Sequence, residues 1–294
     1  MWSRRAAAGS AFVGWFACGL AAQAPPSLQI ERELFLRCGQ SGALAWSADE
    51  GLIASGGECG EVLVLSAATG AVRHELEASE HWIGALRFSP DATRLAVVGS
   101  DLSLWDLGEG RLLARAPAQV PPLDWSRDGA LLAVARSNTR VVLLDARDLQ
   151  PVRGFDVPGK AAIDALVFAA NGDRLVVHKR NGSKHAFDLA SGGEVELPAD
   201  ERARRGPSGR DGEGPTVTHA DGERWLRASG DRLEFHAGSE LLRAVPLPHR
   251  TAPVRGAFAA AGRFAALADQ RGSLGVLRLP DAAPLPLPDG MQGT

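Results

Sequence analysis

Residues 85–106 read ALRFSPDATRLAVVGSDLSLWD, and residues 123–145 read LDWSRDGALLAVARSNTRVVLLD. Both open on an apolar run that ends in an aromatic residue, Phe88 in one and Trp125 in the other. Each then passes through Ser, a spacer, Asp and a small residue before a second apolar run begins. An Asp there caps its own backbone, and a following Gly takes positive φ without steric cost, so the chain turns sharply. Runs that are apolar along their whole length, such as residues 131–135, suit strands buried on both faces. The pair of segments predicts short antiparallel strands joined by tight turns.

The pattern recurs along the chain. Residues 43–54, 165–176 and 256–265 follow the same course, and residues 217–226 hold a degraded copy, which makes six copies in all. Their marker positions, Trp46, Phe88, Trp125, Phe168, Thr218 and Phe258, are 42, 37, 43, 50 and 40 residues apart. A third strand follows at residues 62–65, 102–105, 141–144, 185–187 and 274–277, and a fourth, such as residues 71–76, lies outermost. Four strands in about forty residues cannot shelter both of their faces alone, so neighbours must stack around an axis. The expected fold is all-β, a β-propeller of four-stranded antiparallel blades. Six blades are expected; seven would need a further full copy within residues 199–250. Residues 30–36, from Ile30 to Leu36, have strand character but no repeat of their own. They are expected to add the outer strand to the last blade, built from residues 254–279, which closes the ring and removes an exposed edge.

At Phe88-Ser89-Pro90-Asp91, Leu95-Ala96, Gly99-Ser100-Asp101 and the dipeptide Trp105-Asp106, the chain resembles a WD40 repeat. Trp125-Ser126, Asp128-Gly129 and Leu132-Ala133 make a second match, ending in Leu144-Asp145; Leu65-Ser66 and Phe187-Asp188 fill the same slot. The resemblance spans roughly residues 38–285 and implies a propeller that presents loops to a protein partner without a cofactor. WD40 blades often hold a buried His–Asp–Ser–Trp network. Here Asp101 and Trp105 fit two of its positions with a loop two residues short, and His249 has Arg271 near the expected acid. Blade stability is therefore expected to rest on apolar packing, at ~25 cal/mol per Å² buried. The resemblance also places the connection into an innermost strand and the turn between second and third strands on one face. Cys38 lies in the first and Cys59 in the second, so a Cys38–Cys59 disulfide is expected, closing about 20 residues and contributing ~3 kcal/mol. Two unpaired thiols are the alternative. The same face would display His81, Trp82, Pro121, Pro122, His249 and Arg250. Trp82 is the foremost contact candidate because tryptophan dominates interface hot spots; a tryptophan packed between blades is the other reading.

The 294 residues carry a net charge of −3, with 45% hydrophobic and 23% charged positions, which suits a soluble globular chain and offers no basic field for nucleic acid. The first 24 residues read MWSRRAAAGSAFVGWFACGLAAQA. Arg4 and Arg5, an apolar run over residues 6–22 and small residues at its end predict a cleaved export signal, residues 1–22. A retained anchor and lipidation at Cys18 are alternatives, although the run is at the lower limit of a membrane span. Residues 23–285 would form the propeller, a monomer without stable membrane insertion, and residues 286–294 an irregular tail. Export implies an oxidising periplasmic or extracellular setting, such as a bacterial envelope. Residues 199–215, ADERARRGPSGRDGEGP, read as a solvated, mobile insertion between the fourth and fifth copies, with a partner-docking loop as the alternative.

No catalytic set stands out. The seven histidines, His74, His81, His178, His185, His219, His236 and His249, show no HxH or HExxH spacing, which leaves only a metal site assembled across blades. The glycines of residues 55–57 and 191–193 lie between strands and read as turns, since a phosphate cradle needs a helix behind it. Asp124 and Asp164 fall in innermost strands, either as paired carboxylates fit for acid–base work or as the polar lining of a wet channel. The reading is an exported, non-enzymatic interaction scaffold. The alternative is a secreted propeller hydrolase or lyase, or a small-ligand binder, using the channel mouth.

Overall fold

The computed structural model describes residues 29–35, 41–117, 120–169, 171–198, 216–218, 224–229, 232–237, 240–246, 253–258, 264–269 and 273–278. The expected signal, Cys38, His249, Arg250, Arg271, residues 199–215 and the tail lie outside this set. Among the described residues every regular element is a strand. The N-terminal strand is β1 (Gln29–Phe35). Sheet 1 holds β2 (Ser41–Trp46), β3 (Leu52–Gly57), β4 (Glu61–Ser66) and β5 (Val72–Glu77). Sheet 2 holds β6 (Ala85–Phe88), β7 (Arg94–Val98), β8 (Leu102–Asp106) and β9 (Arg111–Ala116). Sheet 3 holds β10 (Val120–Trp125), β11 (Leu131–Ser137), β12 (Arg140–Asp145) and β13 (Pro151–Asp156). Sheet 4 holds β14 (Ile163–Phe168), β15 (Arg174–Lys179), β16 (Lys184–Asp188) and the two-residue β17 (Glu194–Val195). Sheet 5 holds β18 (Thr216–Thr218), β19 (Arg224–Ser229), β20 (Arg232–Ala237) and β21 (Glu240–Pro246). Sheet 6 holds β22 (Pro253–Phe258), β23 (Phe264–Asp269) and β24 (Ser273–Arg278).

Each sheet is an antiparallel meander in chain order, and sheet 6 takes its fourth strand from the opposite end of the chain. There β1 pairs with β24, from Gln29 opposite Arg278 to Phe35 opposite Ser273, in the place expected for the N-terminal strand. All six aromatic or equivalent markers fall at the last residue of an innermost strand. The outer strands share a further irregularity: the register of the third and fourth strands shifts at the same place in sheets 1, 2, 3 and 5. Such bulges increase local twist, as a fan of outward-splaying strands requires.

The second and third strands form the core. Leu95, Ala96, Val97 and Leu132 through Ala135 are completely buried, as strands covered on both faces must be. Alternate residues of one strand then serve different neighbours. Leu95 and Val97 pack with sheet 1, whereas Ala96 and Val98 pack with sheet 3. One shared apolar cluster joins sheets 3 and 4, another joins sheets 5 and 6, and another joins sheet 6 to sheet 1 through Ile53, Leu65, Ala266 and Leu274. The innermost strands stand side by side in the same succession: β18, β22, β2, β6, β10 and β14. Sheets 5, 6, 1, 2, 3 and 4 thus follow one another through shared cores. Among the described residues, the face of sheet 4 turned away from sheet 3 carries the cluster Val176, Ala186 and Leu197.

Candidate protein-docking face

Most polar motifs in the repeat serve the turns at one end of the sheets. In sheets 1 to 3 a buried serine, Ser47, Ser89 or Ser126, donates to the aspartate two residues on, at 2.5, 2.5 and 2.6 Å. The same hydroxyl accepts the backbone N–H of Leu52, Arg94 or Leu131 at 2.8–2.9 Å. The serine hydrogen bond, together with backbone N–H donors, holds Asp49, Asp91 and Asp128 below the usual carboxylate pKa. The slot that WD40 repeats fill with Trp-Asp has an equally local task. Asp106, Asp145 and Asp188 each accept a backbone N–H from the turn that follows, and Ser66 does the same. Hydrogen bonding and charge from Arg147 bring Asp145 to about 2.

The residue after that slot links neighbouring sheets. Its carbonyl, in Leu107, Ala146 or Leu189, accepts from a side chain of the preceding sheet: His74 Nε2 at 2.7 Å, Arg94 Nη1 at 2.7 Å and Arg153 Nη1 at 3.1 Å. Arg94 also stacks over the Trp125 ring. These latches escaped the sequence reading because two different strand types supply them: His74 and Arg153 are the third residues of β5 and β13, whereas Arg94 begins β7. On the accepting side the residue is always one past the slot.

The tetrad positions are used differently from what the resemblance implies. Trp105 Nε1 donates to the buried Ser103 Oγ at 2.9 Å within its own strand, while Asp101 pairs with Arg115 at 2.9 Å. The two residues therefore belong to separate pairs, and no shared network joins them.

The innermost carboxylates are separate as well. Asp124 faces Arg87 at 3.5 Å and accepts the Phe168 N–H at 3.3 Å; burial pushes its pKa up, opposed by Arg87. Asp164 pairs with Arg180 at 3.1 Å. Phe168 and Asp164 are four residues apart in β14, so the two acids sit at different levels, about 13 Å along the strand. Each has its own arginine, and they do not form a catalytic pair. Lys179 is 2% exposed, and its ammonium is held by the carbonyls of Pro158 and Gly159 at 2.6 and 2.5 Å; burial lowers its pKa. Among the described residues no three His, Cys, Asp or Glu side chains converge as metal ligands.

The opposite end of the sheets carries the contact candidates. The connection from β5 to β6 lies across sheets 1 and 2. Ala78 and Ser79 donate to the Gly60 carbonyl at 3.0 and 3.1 Å, Ile83 to Gly57 at 3.1 Å and Gly84 to Val98 at 2.8 Å. Ser79 Oγ accepts the Ser100 N–H at 2.9 Å, which joins this connection to the β7–β8 turn. Ile83 is anchored in the core, and its neighbour Trp82 is left 54% exposed. The Trp82 ring lies so close over Gly84 that any Cβ there would collide with it, and the Pro121 ring flanks the same glycine. The structure thus brings Trp82 and Pro121 together and leaves His81 exposed beside them. His249 and Arg250 lie outside the described residues. Cys59, in the β3–β4 turn on this face, is disulfide-bonded, to a partner outside the described residues.

No family model and no curated protein matches the sequence. Solved structures do match. The β-propeller domain of Myceliophteria thermophila Cps50 (Swd1) superposes with a TM-score of 0.57 at 15% identity, covering 86% of this chain and 100% of that domain. The fold is a β-propeller. The four-stranded sheets described above have the form of its blades, and the Trp82 face is the end at which the described connection from β5 leads into β6. At this identity the likeness concerns the path of the backbone.

Proposed function

We propose that the protein is an exported, non-enzymatic scaffold that presents the Trp82 face to a protein partner. Six blades make the wheel, with β1 completing blade 6 and blades 4 and 5 meeting to close the ring. The observation that carries the reading is Trp82, half exposed yet braced against the backbone of Gly84 and beside Pro121. A tryptophan held in one pose offers a large contact area at little further entropic cost.

The disulfide at Cys59 supports an oxidising compartment and agrees with the signal-like first 22 residues. Cys18 falls inside that stretch, so Cys38 is the proposed partner. The bond would tie the link between β1 and β2 to the β3–β4 turn, bracing ring closure next to the docking face. Produced with its N-terminal stretch intact, the mature protein is expected to begin at Gln23, and unreduced peptide mapping should join Cys38 to Cys59; two free thiols would reject the bond. Capture from an envelope fraction should recover a partner with the wild type and lose it with Trp82→Ala. Equal recovery by both proteins would remove this face from the proposal.

A further inference from the structure

Resting on that reading of the face, we infer that what docks is cationic: a protein segment carrying lysine or arginine beside a proline or aliphatic residue, laid across Trp82. The three segments that build this corner, residues 58–61, 77–84 and 99–101, contain Glu58, Glu61, Glu77, Glu80 and Asp101 and no lysine or arginine. Hydrogen bonds hold them together, since Gly60 accepts from Ala78 and Ser79, and Ser79 reaches Ser100. The cation that β9 sends here, Arg115, pairs with Asp101. Glu61 and Glu77 stand directly opposite each other in the β4–β5 register. Blades 3 and 4 differ on the same face, where Arg136, Arg140, Lys160 and Arg180 stand against Asp156 and Asp164. Among the described residues the acidic excess therefore lies at the Trp82 corner, while the same end of blades 3 and 4 is mixed in charge.

The two features select the same occupant. The negative face of an indole attracts ammonium and guanidinium groups, and the apolar stems of lysine and arginine cover aromatic surface well. Carboxylates within a Debye length, ~10 Å at 0.1 M salt, steer such a segment in and repel an acidic one. Pro121 beside the ring extends the platform for an apolar neighbour.

Fluorescence anisotropy with a labelled nine-residue peptide alternating lysine and proline, and with its glutamate counterpart, tests the inference on the full chain. The lysine peptide should bind and weaken with rising salt, and the glutamate peptide should not bind. Trp82→Ala, and separately the triple change Glu58→Gln, Glu77→Gln and Glu80→Gln, should each weaken binding by about tenfold. The triple variant, altered only at exposed side chains, should keep the wild-type melting temperature or exceed it. Equal binding of both peptides, no binding of the lysine peptide, or undiminished binding by the triple variant overturns the inference. A captured partner lost by Trp82→Ala but kept by the triple variant would leave the docking face standing and remove the cationic assignment. Retention by both variants would remove the face itself.

Discussion

Blades 3 and 5 share a strand order but not a pair of faces. In blade 3 both faces of β11 are apolar: Leu132 and Val134 enter the core shared with blade 2, and Ala133 and Ala135 the core shared with blade 4. In blade 5 Leu226, Leu233 and Phe235 meet blade 6, while the alternate residues are Trp225, Arg227, Glu234 and His236. Those four pair among themselves. Trp225 and His236 stack with centroids 3.7 Å apart, Arg227 bridges to Glu234 at 2.8 Å, and His236 Nε2 lies 3.1 Å from the same carboxylate. Buried His236 Nδ1 has no hydrogen-bond partner among the described residues. Within that same set, blade 5 thus pairs polar side chains on one face and stacks apolar ones through the other. Among the described residues, apolar clusters shared between sheets run through the succession 5–6–1–2–3–4.

The largest effect should come from deleting core volume on the two sides of this contrast. Leu132→Ala is expected to destabilise by about 2–5 kcal/mol, and Val176→Ala, in the cluster of three on blade 4, by roughly 1 kcal/mol. Denaturant unfolding measures both, and equal losses would break the contrast. Hydrogen exchange sharpens it, since amides of β19 and β20 should exchange faster than those of β11 and β12.

The same side of blade 4 holds His178, on the alternate position to Val177, whose side faces blade 3. Burial, helped by the charge of Lys184, brings its pKa down from 6.5 to about 4. As pH falls below 6.5 the unfolded chain takes up the proton first, so stability declines between pH 6.5 and about 4, by on the order of 2 kcal/mol. The turn carboxylates Asp49, Asp91 and Asp128 lie below 3.8, and their contribution is lost only as pH falls further. Melting temperature against pH should therefore show two descents. His178→Gln should remove the upper one and leave the lower; persistence of the upper one in that variant would assign it elsewhere.

Ser126→Ala comes next in size. It leaves the Leu131 N–H without its side-chain acceptor and Asp128 with the Ala130 N–H but without the serine hydroxyl, and should cost about 1–1.5 kcal/mol, measured by thermal unfolding. A loss within experimental error would make the serine turn decorative and move the stability of blades 1 to 3 wholly onto their cores.

The strand count and the repeat were legible because burial on both faces requires unbroken apolar runs, and an aromatic marker ends five of the six inner strands, with Thr218 in its place in β18. The turn glycine was less legible. The position after the turn's Asp, or Asn171 in blade 4, has positive φ in all four blades where it is described, yet Glu50 and Ala92 occupy it alongside Gly129 and Gly172. Leu149 likewise sits at positive φ where blades 1, 2 and 4 have Gly70, Gly110 and Gly192, because its side chain is needed in the core beside Trp125. The latches and the acidic corner were not legible, since each joins residues from strands or turns of different blades. Trp82 was named from its place in a connection on the expected face and from its residue type, and its support depends on Gly84, which carries no sequence signal until the ring is seen above it.

The smallest expected effect runs in the stabilising direction. Blade 4 has Ala169 and Asn171 where blades 1 to 3 have serine and aspartate, and its turn relies on the Ala169–Arg174 backbone bond and a longer Asn171–Asp173 contact at 3.4 Å. Ala169→Ser would place a hydroxyl where the Arg174 N–H can donate to it and where it can donate to Asn171 Oδ1, copying the geometry around Ser126. One net hydrogen bond in a partly buried turn is worth about 0.5–1 kcal/mol. The rise should be seen in the melting temperature of the full chain, and blade 4 amides should gain protection without change in blades 1 to 3. A destabilised variant would mean that Asn171 and Asp173 already fill that space, and that blade 4 differs from its neighbours in backbone as well as in side chains.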